Sequence, residues 1–188
     1  MTKVLKPNCC LFRLAVLAMI LTAGGFSADQ SRADDVSGEG PFTVNFTSIA
    51  ISPTPPVSLS DDRHMGIAEN FMTATNASGK GLLHNLTGRC IGWFVVYKST
   101  ASYEFHGHCN YIDADGDTVF EKADFDVQPL DSVRVGTGKW LGGTGKYKNL
   151  SGVFEIRTSP LKPIREGFVQ GIGTKQGNYS LPPSGALK

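Results

Sequence analysis

Apolar and polar residues alternate with a period of two along most of the chain. Phe42, Val44 and Phe46 alternate with Thr43, Asn45 and Thr47, the pattern of a strand with one buried face. Met65, Ile67, Glu69, Phe71 and Thr73 share one parity of a second extended stretch. Further strands are expected at about 90–97, 103–112, 118–127, 132–140, 152–158 and 167–179. Short turns rich in Gly, Asp and Ser separate them, and no segment sustains an apolar period of 3.6 residues. Residues 51–60 contain Pro53, Pro55 and Pro56 and read as a loop, and Asn76–Gly81 reads as a turn. Many short strands punctuated by turns predict an all-β domain, a sandwich or a barrel.

Two hairpins fix their own register. Centring the turn Lys98–Ser102 between Ser99 and Thr100 places Cys90 opposite Cys109 and Phe94 opposite Phe105. Centring Asp113–Asp117 on Asp115 places Phe105 opposite Phe125, Cys109 opposite Glu121 and His106 opposite Asp124. One face then carries Cys90, Phe94, Phe105, Tyr111 and Phe125, and the other carries Trp93, His106, His108, Lys122 and Asp124. A slip of one residue would exchange the faces, so the clean division supports the turn centres. The apolar face is expected to point inward. Glu121 shares its parity, and Glu69 shares that of Ile67 and Phe71. A carboxylate among apolar side chains is costly unless it is hydrogen-bonded or protonated, which makes both candidate functional groups. The alternative for each is a position near a barrel mouth, in reach of water.

The N-terminus modifies the domain count and the charge. Lys3, Lys6 and Arg13 form a basic region, and Leu14–Phe26 is an uncharged apolar run too short to span a bilayer. Ser31-Arg32-Ala33 supplies small residues at a cleavage point, so residues 1–33 are expected to be a signal peptide. Residues 34–40 then form a flexible lead-in, 41–182 one domain, and 183–188 a tail. Loss of Lys3, Lys6, Arg13 and Arg32 against Asp29 moves the net charge from +1 to −2. A nearly neutral surface without a basic stripe excludes nucleic acid as a main partner, and no membrane association is expected after cleavage. Export to the periplasm or the cell exterior leaves Cys90 and Cys109, an even pair in an oxidising compartment. With the register, this predicts a cross-strand disulfide; two buried thiols are the alternative.

Several motifs fail on inspection. His106-Gly107-His108 with Asp124 has ligand types that suit zinc, but its company is a solvated, charged face, and no metal is assigned. Asp113-x-Asp115-Gly116-Asp117 lacks EF-hand spacing and has the composition of a tight turn. The glycines of 136–146 do not meet phosphate-loop or dinucleotide spacing. No nucleophile–base set is marked, and no cofactor is expected.

The run Gly142-Gly143-Thr144-Gly145-Lys146-Tyr147, continuing to Gly152, resembles a glycine-rich segment of dirigent proteins and allene-oxide-cyclase-like barrels. It is also similar to exported bacterial proteins in which an Asp-x-Asp-Gly-Asp turn follows a Cys-bearing strand, as Cys109–Asp117 does here. The resemblance implies a single antiparallel β-barrel of about eight strands with an apolar lumen. Plant members cyclise an unsaturated fatty-acid epoxide or steer phenoxy-radical coupling. The leading expectation is a barrel that binds a small apolar or aromatic ligand through Phe94, Phe105, Tyr111, Glu121 and Phe125. A second is an isomerase or cyclase using Glu121 or Glu69, and a third is a structural module without a cavity. Homo-oligomerisation stays open.

Overall fold

The computed structural model describes residues 36–165 and 167–182. The expected signal peptide and C-terminal tail lie outside the described residues. Within them the chain forms nine antiparallel strands: β1 (Gly38–Ile51), β2 (Val57–Ser58), β3 (Arg63–Asn76), β4 (Leu86–Tyr97), β5 (Ser102–Ile112), β6 (Thr118–Pro129), β7 (Arg134–Gly143), β8 (Gly152–Leu161) and β9 (Val169–Leu181). Neighbours follow the order β1-β9-β8-β7-β6-β5-β4-β3-β2, and a further β1–β3 pairing closes the sheet. The result is a closed barrel of eight strands, with β2 as a short outer addition to β3. Closure removes the unpaired edges that an open sheet would expose.

The register deduced from the turns holds. Cys90 pairs with Cys109, Phe94 with Phe105, Phe105 with Phe125, Cys109 with Glu121 and His106 with Asp124. Cys90 and Cys109 form a disulfide across β4 and β5. The outer face is mixed: Lys122 Nζ lies 2.8 Å from Asp124 and Arg157 Nε 2.5 Å from Glu155, beside exposed apolar residues such as Phe120, Val153 and Ile172.

Two expectations are corrected. The strand β1 begins at Gly38, not after residue 40, because Gly38–Gly40 pair with Tyr179–Leu181. Local composition does not reveal a pairing between chain segments this far apart. Glu69 points outward. Asn70 is the residue opposite Cys90, so Ala68, Asn70, Met72 and Ala74 face the lumen while Ile67, Glu69 and Phe71 face out. The outer side of β3 is itself apolar, with Ile67 and Phe71 both at least two-fifths exposed, so hydrophobicity alone chose the wrong face. Glu69 instead accepts a hydrogen bond from Arg89 Nε at 2.5 Å.

The two ends of the barrel differ. At one end, turns 77–85, 113–117 and 144–151 cover a packed core that includes Leu82, Leu83, Trp140, Tyr147 and Leu150. Asp113 ties this end together. Its Oδ1 accepts the backbone N–H groups of Asp115 and Asp117, both at 2.9 Å. Its Oδ2 accepts the Tyr147 hydroxyl at 3.1 Å and lies 2.7 Å from Lys146 Nζ. Gly145, at φ +46°, leaves the space a Cβ would need to the Asp117 carboxylate, which accepts the Lys146 N–H at 3.2 Å. The Asp-rich turn and the glycine-rich run are thus two halves of one plug. At the other end, Leu130, Pro163 and Phe168 from the β6–β7 and β8–β9 connections stand around an opening.

Candidate functional site

The lumen above the plug is a cavity of about 560 Å³. Phe94, Phe105, Phe125 and Ile156 supply apolar wall, and Leu130 and Phe168 stand at the rim. Phe105 and Phe125 meet edge to face, with ring centroids 6.2 Å apart. Arg134 lies over the Tyr103 ring at 4.3 Å and donates to the Leu130 carbonyl at 3.1 Å, so its stem and ring complete the rim.

Glu121 and Lys175 form a buried charged pair in the cavity lining, which also includes Ser48, Asn70, Thr158 and Gln170. Both are almost fully buried, at 1% and 2% exposure. Lys175 Nζ donates to Glu121 Oε2 and to the Tyr111 hydroxyl. Tyr111 in turn directs its hydroxyl toward Met72 Sδ at 3.7 Å. Four aromatic rings enclose the ammonium position: Tyr111 at 4.6 Å, Phe46 and Phe154 at 5.6 Å, and Trp140 at 5.9 Å. Glu121 Oε1 and Trp140 Nε1 are buried without a hydrogen-bond partner among the described residues. The two residues are register partners on β6 and β7.

Local backbone explains how these groups are placed. The inward parity of β9 reads Gly171, Gly173, Lys175 and Gly177, so lysine is the one side chain of four. A Cβ on Gly173 would strike the Phe46 ring, and one on Gly138 of β7 would strike the Phe154 ring. These glycines therefore admit the rings that surround Lys175. Beside Glu121, the register between β6 and β7 shifts by one, from Val119↔Gly143 to Glu121↔Trp140. The extra residue lies at Leu141–Gly142, where Gly142 adopts φ +94°. Such a bulge re-aims neighbouring side chains and often accompanies functional sites.

Burial dominates the electrostatics. It pushes the Glu121 carboxyl above the ordinary carboxylate range, against the opposing pull of Lys175 and of the Tyr111 hydroxyl. It holds the Lys175 amine below the ordinary lysine range, partly offset by Glu121. Burial, then the neighbouring carboxyl, raises the Tyr111 phenol well above its usual value. Both members of the pair are thereby moved toward their neutral forms. The arrangement can hold one small molecule against apolar walls and offer it a polar terminus at the floor.

Of the residues singled out from sequence, Phe94, Phe105, Glu121 and Phe125 are brought together on the cavity wall. Tyr111 is inward but lies in the layer beneath, fully buried and off the cavity surface, its ring flat against Gly88. Cys90 and Cys109 also line the wall. Glu69 is absent from the site. His106 stacks on Trp93 at 4.4 Å on the outer face and donates from Nδ1 to Asp124 at 2.8 Å. Among the described residues no group of three His, Cys, Asp or Glu side chains is arranged to hold a metal. Lys175 was missed. The available signal was a lysine standing alone among alternating glycines. No protein-family model matches the chain, and no curated protein shows significant similarity to it.

Proposed function

We propose that the protein is an exported binding protein that holds one small apolar or aromatic molecule in its lumen. The observation that carries this reading is the cavity of about 560 Å³, walled by aromatic and aliphatic side chains with one convergent polar cluster at its floor. That is the usual composition of a small-molecule site. A structural module would have no use for a void of this size, since small barrels can fill their interiors with side chains. The resemblance of the Gly142–Gly152 segment to allene-oxide-cyclase-like barrels agrees with a lumen that takes apolar guests. The exported location rests on the signal-like residues 1–33 and the Cys90–Cys109 pair.

Titration with N-phenyl-1-naphthylamine, an uncharged fluorophore, tests the reading. One probe per chain should bind with a blue-shifted emission. Ala68 lines the lumen, so Ala68→Trp should weaken binding at least tenfold while the urea midpoint changes little. Unchanged affinity in that variant would place the probe elsewhere and refute the reading. A second reading, an isomerase or cyclase, draws support from the raised carboxyl of Glu121, which is fitted to donate a proton. Loss of turnover with retained binding in Glu121→Gln distinguishes it.

A further inference from the structure

The geometry points to Lys175 as a carbonyl-reactive amine, which takes an apolar aldehyde or ketone in the lumen into a covalent imine, with Glu121 as proton partner and counter-ion. This rests on the lumen being a ligand site and adds the chemical class of the ligand.

Three features carry it. First, Lys175 is the one buried lysine among the described residues; Lys80, Lys98, Lys122, Lys139, Lys148 and Lys162 are exposed, and Lys146 is paired with Asp113 and Asp115. Exposed lysines are protonated and poorly nucleophilic at neutral pH, whereas a lysine desolvated in an apolar pocket is activated. Second, Lys175 and Glu121 both line a cavity that connects to the rim loops, so a carbonyl group entering with an apolar body is led to the amine. The surrounding rings of Phe46, Trp140 and Phe154 limit the water that would hydrolyse an imine. Third, Glu121 Oε2 is engaged by Lys175 but Oε1 has no partner among the described residues. That oxygen is free to exchange a proton with a second group while the first stays at the nitrogen.

The chemistry balances with these groups alone. Burial brings the neutral pair, an amine and a carboxylic acid, within reach of the ion pair by one proton transfer from Lys175 to Glu121, and the reaction starts from it. The Nζ lone pair forms a bond to the carbonyl carbon as Glu121 gives its proton to the carbonyl oxygen. The nitrogen of the resulting carbinolamine returns one proton to the Glu121 carboxylate. Glu121 then protonates the hydroxyl, the carbon–oxygen bond breaks, and one water leaves through the open end. The product is a protonated imine on Lys175 facing an ionised Glu121. Nothing is oxidised or reduced.

The test uses the full-length exported protein with 2-naphthaldehyde and sodium cyanoborohydride, and 2-naphthalenemethanol as a carbonyl-free analogue followed by fluorescence. Peptide mapping should place the naphthylmethyl group on Lys175 at least tenfold above any other lysine. Glu121→Gln should bind the alcohol but trap the aldehyde at least tenfold more slowly. The paired variant Glu121→Gln/Lys175→Met, which leaves no buried charge unmatched, should keep its fold and bind the alcohol without a lumen adduct. Binding of the alcohol with Lys175 unmodified overturns the carbonyl chemistry and leaves the lumen as a ligand site. Trapping at the wild-type rate in Glu121→Gln overturns the role of Glu121. Failure of both probes to bind overturns this proposal and the ligand-site reading together.

Discussion

Removing one partner of the Glu121–Lys175 pair should destabilise the barrel with a pH dependence that identifies which charge was left behind. Both side chains are at least 98% buried, so neither can reach water when its partner is gone. In Lys175→Met, Glu121 loses the main group that opposes its burial, and its folded pKa rises further above the ordinary 4.5. A raised acid contributes stability that is complete below the unfolded pKa and disappears as pH climbs through the folded one. Keeping that carboxyl protonated at pH 7 costs about 3 kcal/mol, at ~1.4 kcal/mol per pH unit above 4.5. In Glu121→Gln, the stranded amine has a folded pKa depressed below 10.5. Its contribution is present above the unfolded pKa and is lost as pH falls through the folded one, and the same arithmetic gives up to about 5 kcal/mol at pH 7. Both figures agree with the ~3–5 kcal/mol seen when a buried pair is broken from one side. The double variant strands no charge and should lie within about 2 kcal/mol of wild type. Urea unfolding at pH 5, 7 and 9 with the disulfide intact gives all four corners of the cycle. Lys175→Met should weaken as pH rises, Glu121→Gln as pH falls, and the double variant should follow neither slope. Additivity of the two single changes within about 0.5 kcal/mol, or parallel slopes in both, would show that the groups are not coupled and refute the reasoning.

Three further outcomes are expected. Non-reducing peptide mapping should recover Cys90 and Cys109 in one linked species, and Cys90→Ser/Cys109→Ser should cost no more than about 2 kcal/mol, because the closed loop is short and already a hairpin. Asp113→Ala should cost about 3 kcal/mol in urea unfolding by unpairing the Tyr147 hydroxyl and two turn N–H groups. Burial pushes the Asp113 carboxyl up, but Lys146, the Asp117 N–H and Tyr147 outweigh it and hold it below 3.8. The stability it adds is therefore complete above that pH and is lost on acidification through its folded value, a limb that Asp113→Asn should lack. Exported protein should begin at Asp34 by N-terminal sequencing; a mature chain still starting at Met1 would disprove cleavage.

The wall of the lumen was legible in the sequence and its floor was not, for a reason that lies in the range of the signals. Hairpin turns fix register over about ten residues on either side, so Cys90, Phe94, Phe105, Glu121 and Phe125 could be aligned through two adjacent turns. That reach ends at a bulge. Between Tyr103 and Phe105 the pairing of β5 with β6 shifts by one, and Val127 turns outward at 54% exposure although strict alternation from Phe125 would place it inside. Strands with two apolar faces, such as β3, give alternation no means of choosing the inner one, which is how Glu69 was misplaced. Lys175 comes from β9, whose neighbours are β1 and β8. No local turn links it to Glu121, 54 residues away in sequence. Its environment is written in complementary sizes on different strands: small Gly173 and Gly138 where large Phe46 and Phe154 must lie. A glycine parity of that kind reports where rings from elsewhere will pack, and a charged residue on the same parity marks the place where the fold has tolerated a desolvation cost. The site is thus encoded by what β9 omits as much as by the aromatic residues that the other strands supply.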